Sequence, residues 1–449
     1  MLYTCLQGTR AGVSRDARVS EDEQGGDMQL TAADRARLAD ILRLAESALA
    51  DNLMPFWATH AYDAEYGGFL TRLDRRGRRL DDREKILIMQ VRMISSLASA
   101  HRFGLNDRGY LDLAGRGFEF VTKHMWDRGE GGFYFSVARD GTPKIRRKNT
   151  DFHGYALVGL ADYHLASGRA DALDWAGKVF DVLMEKAADR DQGFIEDFDG
   201  GAWPALNADQ MHLGGQTRIK TIDMHTNIME GLLYLARITG KPRHLDALRN
   251  VVHLITTKGI DRENGCSITA FDYDWNPVAD ASGRMTTSYG LNVEIAWLML
   301  EAVDALGEPR AAYRDTILAL VDHALAYGFD QERGGLAAYG PMTGHVLDAD
   351  GLPPDRLLKP WWGQAELLNA LTDVYVWTRD PKYFAALEKL FEWIWTRQID
   401  HEYGDWYQDV HWDTGAPVTT DKGGEWKTSF HAGRALMRTC RALRTLCDE

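Results

Sequence analysis

A histidine near the end of the 449-residue chain, His431, lies where the polar and aromatic stretch GEWKTSFHAGR passes into a helical pattern. Histidine is the side chain best suited to move protons near neutral pH. A similar stretch, WWGQAE, begins another helical segment and brings together Trp361, Trp362 and Gln364. Aromatic rings pack against the C–H faces of sugars, and amides bind their hydroxyl groups. The two stretches therefore predict a carbohydrate site in which His431 is the acid or base.

Further polar residues stand where other apolar segments begin. Those that we expect to face a ligand are Arg92, Asp151, His153, Asp223, His225, Asn227, Tyr289 and Glu294. We expect His225 and Glu294 to assist His431 in proton transfer. Two Asp-x-His sequences, at 151–153 and 223–225, are also compatible with metal ligation. Because positions two residues apart do not share a helix face, we predict neither a metal nor another cofactor.

These positions recur because the chain contains a long internal repeat. Glycines in a similar context occur in steps of 64, 62, 72, 69 and 70 residues, at Gly67, Gly131, Gly193, Gly265, Gly334 and Gly404. Each glycine follows an amphipathic helical segment and precedes a more apolar one. The apolar segments are 84–103, 151–167, 223–239, 289–306, 361–379 and 430–447. Such a period indicates six copies of one helix–loop–helix unit.

Six amphipathic and six apolar helices predict an all-α fold, an (α/α)6 barrel with the apolar helices as the inner ring. The short aromatic stretches after the glycines predict β-hairpins at one end of the barrel. The starts of the inner helices converge on the barrel axis, where their unpaired N–H groups and positive dipole ends face a cavity. The candidate residues therefore lie together at this end.

Composition limits the class of protein and its partners. The chain is 45% hydrophobic and 26% charged with a net charge of −14, which is typical of a globular protein and argues against nucleic-acid binding. No apolar run is long enough to cross a membrane. Four scattered cysteines fit a reducing, cytoplasmic location. We predict a disordered tail over residues 1–29, a single barrel domain over 30–449, and a monomer or homodimer.

The chain resembles the N-acylglucosamine 2-epimerase superfamily, which includes cellobiose 2-epimerases and mannose isomerases. The resemblance rests on the segments MPFWATHAYDAEYGGF (54–69), QVR (90–92), MWDRGEGGFYFSV (125–137), SYGLNVEIAWLML (288–300), WWGQAELL (361–368) and GEWKTSFHAGRAL (424–436). It implies an (α/α)6 barrel that interconverts reducing sugars at C2 without a redox cofactor. It also implies that a histidine removes the C2 proton of the ring-opened aldose to give a cis-enediolate.

The resemblance assigns roles to four positions. Arg92 matches the arginine that holds sugar oxygens, and His431 matches the C-terminal catalytic histidine. Glu294 and Trp362 match a glutamate and a tryptophan of the family site.

The sequence departs from the family pattern at three places. Leu291 stands where the family has its second catalytic histidine, in a sequence such as SYGHDIE. Asn227 replaces the second histidine of the pattern Asn-x-His-x-His-x-x-Glu. Asp151 and His153 replace a Tyr-x-Gln sequence. Since leucine cannot move a proton, a two-histidine epimerisation is not expected.

Several reactions remain compatible with these departures. His225 or His153 could replace the missing base, or His431 could act alone in an aldose–ketose isomerisation. Alternatively, the barrel could cleave glycosides as a hydrolase or lyase through the carboxylates Asp151, Asp223 and Glu294. A protein that binds sugar without turnover is a further alternative. We predict a sugar epimerase or isomerase that acts on a reducing sugar.

Overall fold

The computed structural model describes residues 30–80, 84–105, 108–204, 219–280, 283–348 and 357–448. The predicted tail, 1–29, lies outside the described residues. In chain order the helices are α1 (Ala32–Ser47), α2 (Met54–His60), α3 (Leu87–Phe103), α4 (Tyr110–Phe120), α5 (Thr150–Ser167), α6 (Ala170–Val182), α7 (Ile222–Thr239), α8 (Pro242–Leu254), α9 (Tyr289–Leu306), α10 (Arg314–His323), α11 (Trp361–Thr378), α12 (Pro381–Trp393) and α13 (Phe430–Asp448).

The odd-numbered helices from α3 to α13 form a closed inner ring. Each packs against the next in chain order, and α13 returns to contact both α3 and α1. Their residues are mostly buried on every face, as the apolar sequence of α9 requires. Helices α1, α4, α6, α8, α10 and α12 lie outside this ring and bury one face each. The predicted all-α architecture of inner and outer helices is therefore confirmed.

The sequence supplies the caps at which inner helices begin and end. Asn149, Thr221 and Ser288 precede α5, α7 and α9, and each side-chain oxygen accepts the backbone N–H three residues later. A glycine in the left-handed region, such as Gly104 after α3, ends several of these helices. Because the caps fix the first helical turn, they also fix where its side chains point.

Short strands join neighbouring units. They are β1 (Lys85–Ile86), β2 (Ser136–Val137), β3 (Pro143–Ile145), β4 (Lys148–Asn149), β5 (Asp197–Phe198), β6 (Ile219–Thr221), β7 (Ile260–Asp261), β8 (Cys266–Ser267), β9 (Ala270–Asp272), β10 (Thr286–Ser288), β11 (Tyr339–Pro341), β12 (Leu358–Pro360) and β13 (Asp409–His411). The pair β2–β3 is a local hairpin in an aromatic stretch after a glycine, as predicted, and β7–β8 is a further hairpin around Gly265.

Most of the remaining pairs join different units, which the sequence did not predict. The strand before each inner helix pairs with the loop of the following unit in β1–β2, β4–β5, β6–β9, β10–β11 and β12–β13. A bridge between Leu73 and Lys422 joins the sixth unit back to the first. These pairs tie the six units into a ring at the end where the inner helices begin.

A buried lysine before the inner helix fixes the loop that follows the outer helix. Lys148 Nζ lies 3.0 Å from the Asp127 carboxylate, and Lys359 Nζ lies 2.8 Å from Asp330. The same aspartates accept backbone N–H groups of their loops. Pairing makes the burial of these charges tolerable. The fourth unit has Thr287 at the position of the lysine.

The apolar inner helices do not meet the requirements for crossing a bilayer. Of the helices in the described residues, none combines the length and the apolar character that a membrane span needs.

Candidate active site

A cavity of about 460 Å³ opens among the N-terminal ends of the inner helices. This is within the usual range for a small-molecule site. Its wall contains seven of the predicted site residues, Arg92, Asp151, Asp223, Glu294, Trp361, Trp362 and His431. The sequence prediction missed other lining residues, which include Tyr155, Glu196, Tyr339, Gln408 and Trp426.

His431 is held at the cavity floor by a carboxylate from the neighbouring inner helix. Its Nδ1 lies 2.6 Å from Oε1 of Glu366. Burial lowers the pKa of His431 to about 4, so the imidazole is neutral near pH 7. In the neutral ring, Nδ1–H donates to Glu366 and Nε2 keeps its lone pair. The geometry therefore prepares His431 to accept a proton.

Glu366 remains ionised because of Arg434. Burial alone would raise the pKa of Glu366, but Arg434 and His431 outweigh it and hold the pKa at about 2. One Arg434 nitrogen lies 2.8 Å from Glu366, and the other terminal nitrogen binds Glu230. Neither Glu366 nor Arg434 was among the predicted site residues.

Glu294 completes this cluster with the opposite shift in pKa. Its Oε1 lies 3.4 Å from Arg434. Burial, followed by the negative charge of Glu366, raises the pKa of Glu294 well above its usual value. Two neighbouring carboxyl groups on the same guanidinium therefore differ in acidity.

A second group of acids lines the side of the cavity formed by α5 and α7. Burial and the nearby charge of Asp223 raise the pKa of Asp151 to about 8. Asp151 is 8% exposed, and its Oδ1 has no hydrogen-bond partner within the described part of the chain. Asp223 is open to the cavity, and its Oδ1 accepts a hydrogen bond from Asn227 at 3.0 Å. The Asp151 side chain therefore presents a protonated acid to the cavity near pH 7.

Aromatic rings and one cation surround these acids. The rings of Trp361 and Trp362 each lie 6.4 Å from the His431 ring, measured between centroids. The Arg92 guanidinium lies 4.0 Å from the centre of the Tyr155 ring and donates to the Trp426 carbonyl at 2.8 Å. The Arg92 Nε is buried and has no partner among the described residues, and the side chain lines the cavity.

This arrangement accompanies a clear sequence relationship. The profile of the family described as N-acylglucosamine 2-epimerase (GlcNAc 2-epimerase) matches residues 67–435, more than half of the chain. The chain belongs to this family. The resemblance predicted from the sequence is therefore confirmed.

Individual relatives are similar along most of their length. A cellobiose 2-epimerase of Bacteroides fragilis is 26% identical over 388 residues, covering 86% of this chain and 95% of the relative. An N-acylglucosamine 2-epimerase of Bos taurus is 26% identical over 408 residues, covering 89% and 88%. The structure of cellobiose 2-epimerase from Spirochaeta thermophila superimposes with a TM-score of 0.81 at 28% identity, covering 92% and 99%.

More distant structures share the fold alone. A D-mannose isomerase has a TM-score of 0.76 at 20% identity, covering 91% of this chain and 97% of its own. A family 76 glycoside hydrolase has a TM-score of 0.59 at 12% identity, covering 91% and 78%. The (α/α)6 barrel is confirmed, and the hydrolase alternative gains no support from likeness at this level.

Leu291, which the resemblance places at the position of a second catalytic histidine, lies in the cavity wall. It is 4% exposed. Asn227 lies behind the wall, where it accepts a hydrogen bond from the Tyr155 hydroxyl at 2.8 Å and donates to Asp223. Asn227 therefore positions two lining residues, which corrects the expectation that it would itself face the ligand.

The two histidines of the Asp-x-His sequences do not reach the cavity, contrary to prediction. His225 Nε2 accepts the Phe194 N–H at 3.1 Å, and its Nδ1 lies 2.8 Å from the Thr221 carbonyl. His153 makes the equivalent contacts, with the Phe133 N–H at 2.8 Å and the Asn149 carbonyl at 2.6 Å. Since both ring nitrogens are bonded to backbone, neither histidine serves as a base or a metal ligand in this arrangement.

Gln364 makes the same kind of contact with a glycine loop as His153 and His225. Its Oε1 accepts the Leu336 N–H at 2.7 Å, as Gln90 accepts the Phe69 N–H at 2.7 Å. These residues lie five positions after the lysine of their units and face the glycine loops. In the third unit, where His225 makes the equivalent contact, the loop needs a glycine, because a Cβ at Gly193 would lie 2.3 Å from His225 Nε2. The prediction of Gln364 as a ligand-binding residue is therefore corrected.

Tyr289 is also structural. Its hydroxyl donates to the Pro341 carbonyl at 3.1 Å, and its ring packs against Gly328 and Gly340. Its side chain is fully buried away from the cavity. The expectation that Tyr289 binds the ligand is corrected accordingly.

The structural role of His225 leads to a test. We expect His225→Gln to fold and function normally, because glutamine makes this contact in two other units. His225→Ala should lose about 1–3 kcal/mol in the free energy of unfolding, because the buried Phe194 N–H would have no acceptor. Chemical denaturation and sugar turnover of both variants check this. Loss of turnover in a stable His225→Gln protein would contradict the structural role.

One group could in principle hold a cation. Glu294, Glu366 and His431 bring ligand atoms within 4.8 Å of one another. Arg434 already contacts both glutamates. The guanidinium thus supplies the positive charge at the place where a metal would act.

Proposed function

We propose that the protein interconverts a free reducing sugar with an isomer by moving the proton at C2, with His431 as the base. The observation that carries this proposal is the hydrogen bond from His431 Nδ1 to Glu366 in a cavity walled by tryptophans. It leaves Nε2 as the basic nitrogen, as proton abstraction requires. The epimerase activities named for the family relatives agree with this class of reaction.

The other cavity residues would stabilise the enediolate. Removal of the C2 proton of the open-chain aldose places negative charge on O1, and the later loss of the O2 proton moves it to O2. Arg92 offers a guanidinium in the cavity wall, and Asp151 offers a protonated carboxyl group. Asp151 would give its proton to O1 and accept the proton of O2. His431 would then return the carbon-bound proton to C1, which completes an aldose-to-ketose conversion with no net loss of protons.

Leu291 favours isomerisation over epimerisation. Epimerisation requires that C2 be reprotonated on the opposite face, and leucine has no proton to give. His431 is the histidine that lines the cavity within the described residues. A single base on one face accounts for transfer between C1 and C2. We therefore propose the ketose as the main product. The cytoplasmic location and the monomer or homodimer state stay predictions.

Proton NMR in deuterated water tests the proposal. Glucose, mannose, fructose and cellobiose would each be incubated with the purified protein. Deuterium at C1 or C2 together with ketose signals would support His431-dependent isomerisation. Epimer without ketose would refute the single-base product, and absence of exchange with all four sugars would refute enediolate chemistry on these substrates.

The pH profile is expected to be bell-shaped. His431 must be neutral, so turnover should fall as pH drops through its pKa of about 4. Asp151 must be protonated, so turnover should also fall as pH rises through about 8. Asp151→Asn keeps a neutral hydrogen-bond donor that does not titrate, but it cannot transfer a proton between O1 and O2, so its maximal rate should be lower than that of the wild type. In initial-rate measurements this variant should lose the alkaline limb and keep the acid limb, whereas an unchanged alkaline limb would remove Asp151 from the proposal.

A further inference from the structure

A second cavity, of about 600 Å³, lies among the C-terminal halves of α3, α5 and α7 and the first two-thirds of α13. Its wall comes mainly from α3, α5, α7 and α13, at the opposite end of the barrel from the candidate active site. No step of the proposed sugar reaction uses it. Arg434 borders this lower cavity while its terminal nitrogens bind the glutamates of the active-site floor.

The wall of the lower cavity is rich in arginine although the chain carries a net charge of −14. One carboxylate, Asp162, lines it, with its pKa raised to about 6 by burial. The five arginines in the wall are Arg102, Arg237, Arg434, Arg438 and Arg441. Serine hydroxyls and Tyr234 supply further hydrogen-bonding groups. Cations and hydroxyls that converge on one space are suited to an anion.

Four of these arginines form ion pairs. Arg434 binds the active-site glutamates, Arg438 lies 2.9 Å from Glu301 and 2.5 Å from Asp373, Arg237 binds Glu301, and Arg102 lies 3.5 Å from Asp162. The Nε atoms of Arg434 and Arg438 are buried and have no hydrogen-bond partner among the described residues. Arg441 forms no ion pair within the described ranges, and its guanidinium lies 5.4 Å from the centre of the Phe103 ring. Desolvation, followed by the positive charges of Arg102 and Arg438, lowers the pKa of Arg441. Arg441 therefore carries the positive charge of the wall that no carboxylate among the described residues pairs with.

Helix dipoles do not account for all of this charge. Cations are favoured in the last turn of a helix, and Arg102 and Arg237 occupy such positions in α3 and α7. Arg434, Arg438 and Arg441 stand instead at one-turn intervals in the first two-thirds of α13. Their spacing places them on one face of that helix, directed toward the lower cavity.

We propose that the lower cavity binds an oxyanion, namely the phosphate or carboxylate group of a small metabolite. Guanidinium groups bind both kinds of oxyanion through paired N–H donors, and they prefer them to chloride because of this geometry. The cavity volume leaves room for the remainder of a small molecule beside its charged group. Asp162 lies in the wall as an acid that can also donate a hydrogen bond when protonated.

Thermal unfolding of the whole chain tests the proposal. Inorganic phosphate, pyrophosphate and citrate would be added at an ionic strength kept constant with sodium chloride. Calorimetric titration with pyrophosphate would measure the affinity. The variant is Arg441→Gln, which removes the charge at the mouth. The matched control is Arg444→Gln, since Arg444 is an exposed arginine on the same helix that lies outside the cavity wall and pairs with Glu46 at 2.6 Å.

We expect an oxyanion to raise the unfolding temperature of the wild type and of Arg444→Gln. In Arg441→Gln the rise should vanish and the affinity should fall at least about tenfold, the loss of one charged hydrogen-bonding group. Stabilisation by phosphate and pyrophosphate alone would assign a phosphoryl group, and stabilisation by citrate as well would assign a general oxyanion site. Equal effects in all three proteins, or no effect beyond chloride, would overturn the proposal.

Discussion

His431→Ala is expected to abolish proton exchange at C2 while leaving the barrel folded. Loss of a general base usually lowers rates about 10²–10⁴-fold, and the cavity wall offers no second histidine in the described residues. The side chain contacts the open cavity as well as Glu366, so its removal costs little packing. Deuterium incorporation into the sugar, measured by NMR at equal protein concentrations, gives the rate directly.

The neighbouring Glu366 provides an internal comparison for this variant. Glu366→Gln keeps a hydrogen-bond acceptor for His431 Nδ1 but removes the charge that stabilises the imidazolium. We therefore expect an intermediate rate, below the wild type and above His431→Ala. A far-ultraviolet circular dichroism spectrum should be the same for all three proteins. Wild-type exchange rates in His431→Ala would show that another group removes the proton.

The barrel was predictable because its evidence is repeated along the chain. Six glycines at similar steps mark six units, and each apolar segment became an inner helix within a few residues of its predicted bounds. The pairing of strands between units was not predictable in the same way. A strand such as β4 is two residues long, and only the approach of the next unit creates its partner β5.

The site prediction failed where it ignored rotation around the helix. Counted from Lys427, the buried lysine three residues before α13, His431 is fourth and Arg434 is seventh, so they share a face that points to the axis. Counted from Lys148 and Lys220, His153 and His225 are fifth, about 100° further round, and face the glycine loops. Aligning the units on these lysines, with Thr287 in the fourth unit, separates the two sets of residues by sequence position alone.

The same alignment identifies the residues of the site that the sequence prediction missed, such as Glu366 and Arg434. The seventh positions are Arg92, Tyr155, Asn227, Glu294, Glu366 and Arg434. They form a layer of polar groups inside an apolar ring, which is the place where buried charges need partners. Which of them pair could not be predicted, because Glu294 and Arg434 are far apart in sequence and meet only when the ring closes.

Arg434→Leu is expected to be strongly destabilising, by about 3–5 kcal/mol in the free energy of unfolding at pH 7. Arg434 is 7% exposed and is the cation that contacts Glu230, Glu294 and Glu366. Without it, the pKa of Glu366 should rise from about 2, since burial would no longer be offset. Sugar turnover should fall as well, because a protonated Glu366 no longer stabilises the imidazolium of His431.

The pH dependence of the free energy of unfolding distinguishes a buried charge left without a partner from lost packing. A carboxyl whose pKa is raised by folding destabilises the protein above its unfolded pKa, about 4.3, and has no such effect below it. The deficit of Arg434→Leu in urea denaturation should therefore be largest at pH 7 and shrink toward pH 4. Adding Glu366→Gln should restore part of the stability. The exposed control Arg444→Leu should lose at most about 1 kcal/mol in the free energy of unfolding. If the deficit of Arg434→Leu is equal at pH 4 and pH 7, its cause is lost packing and not an unpaired charge.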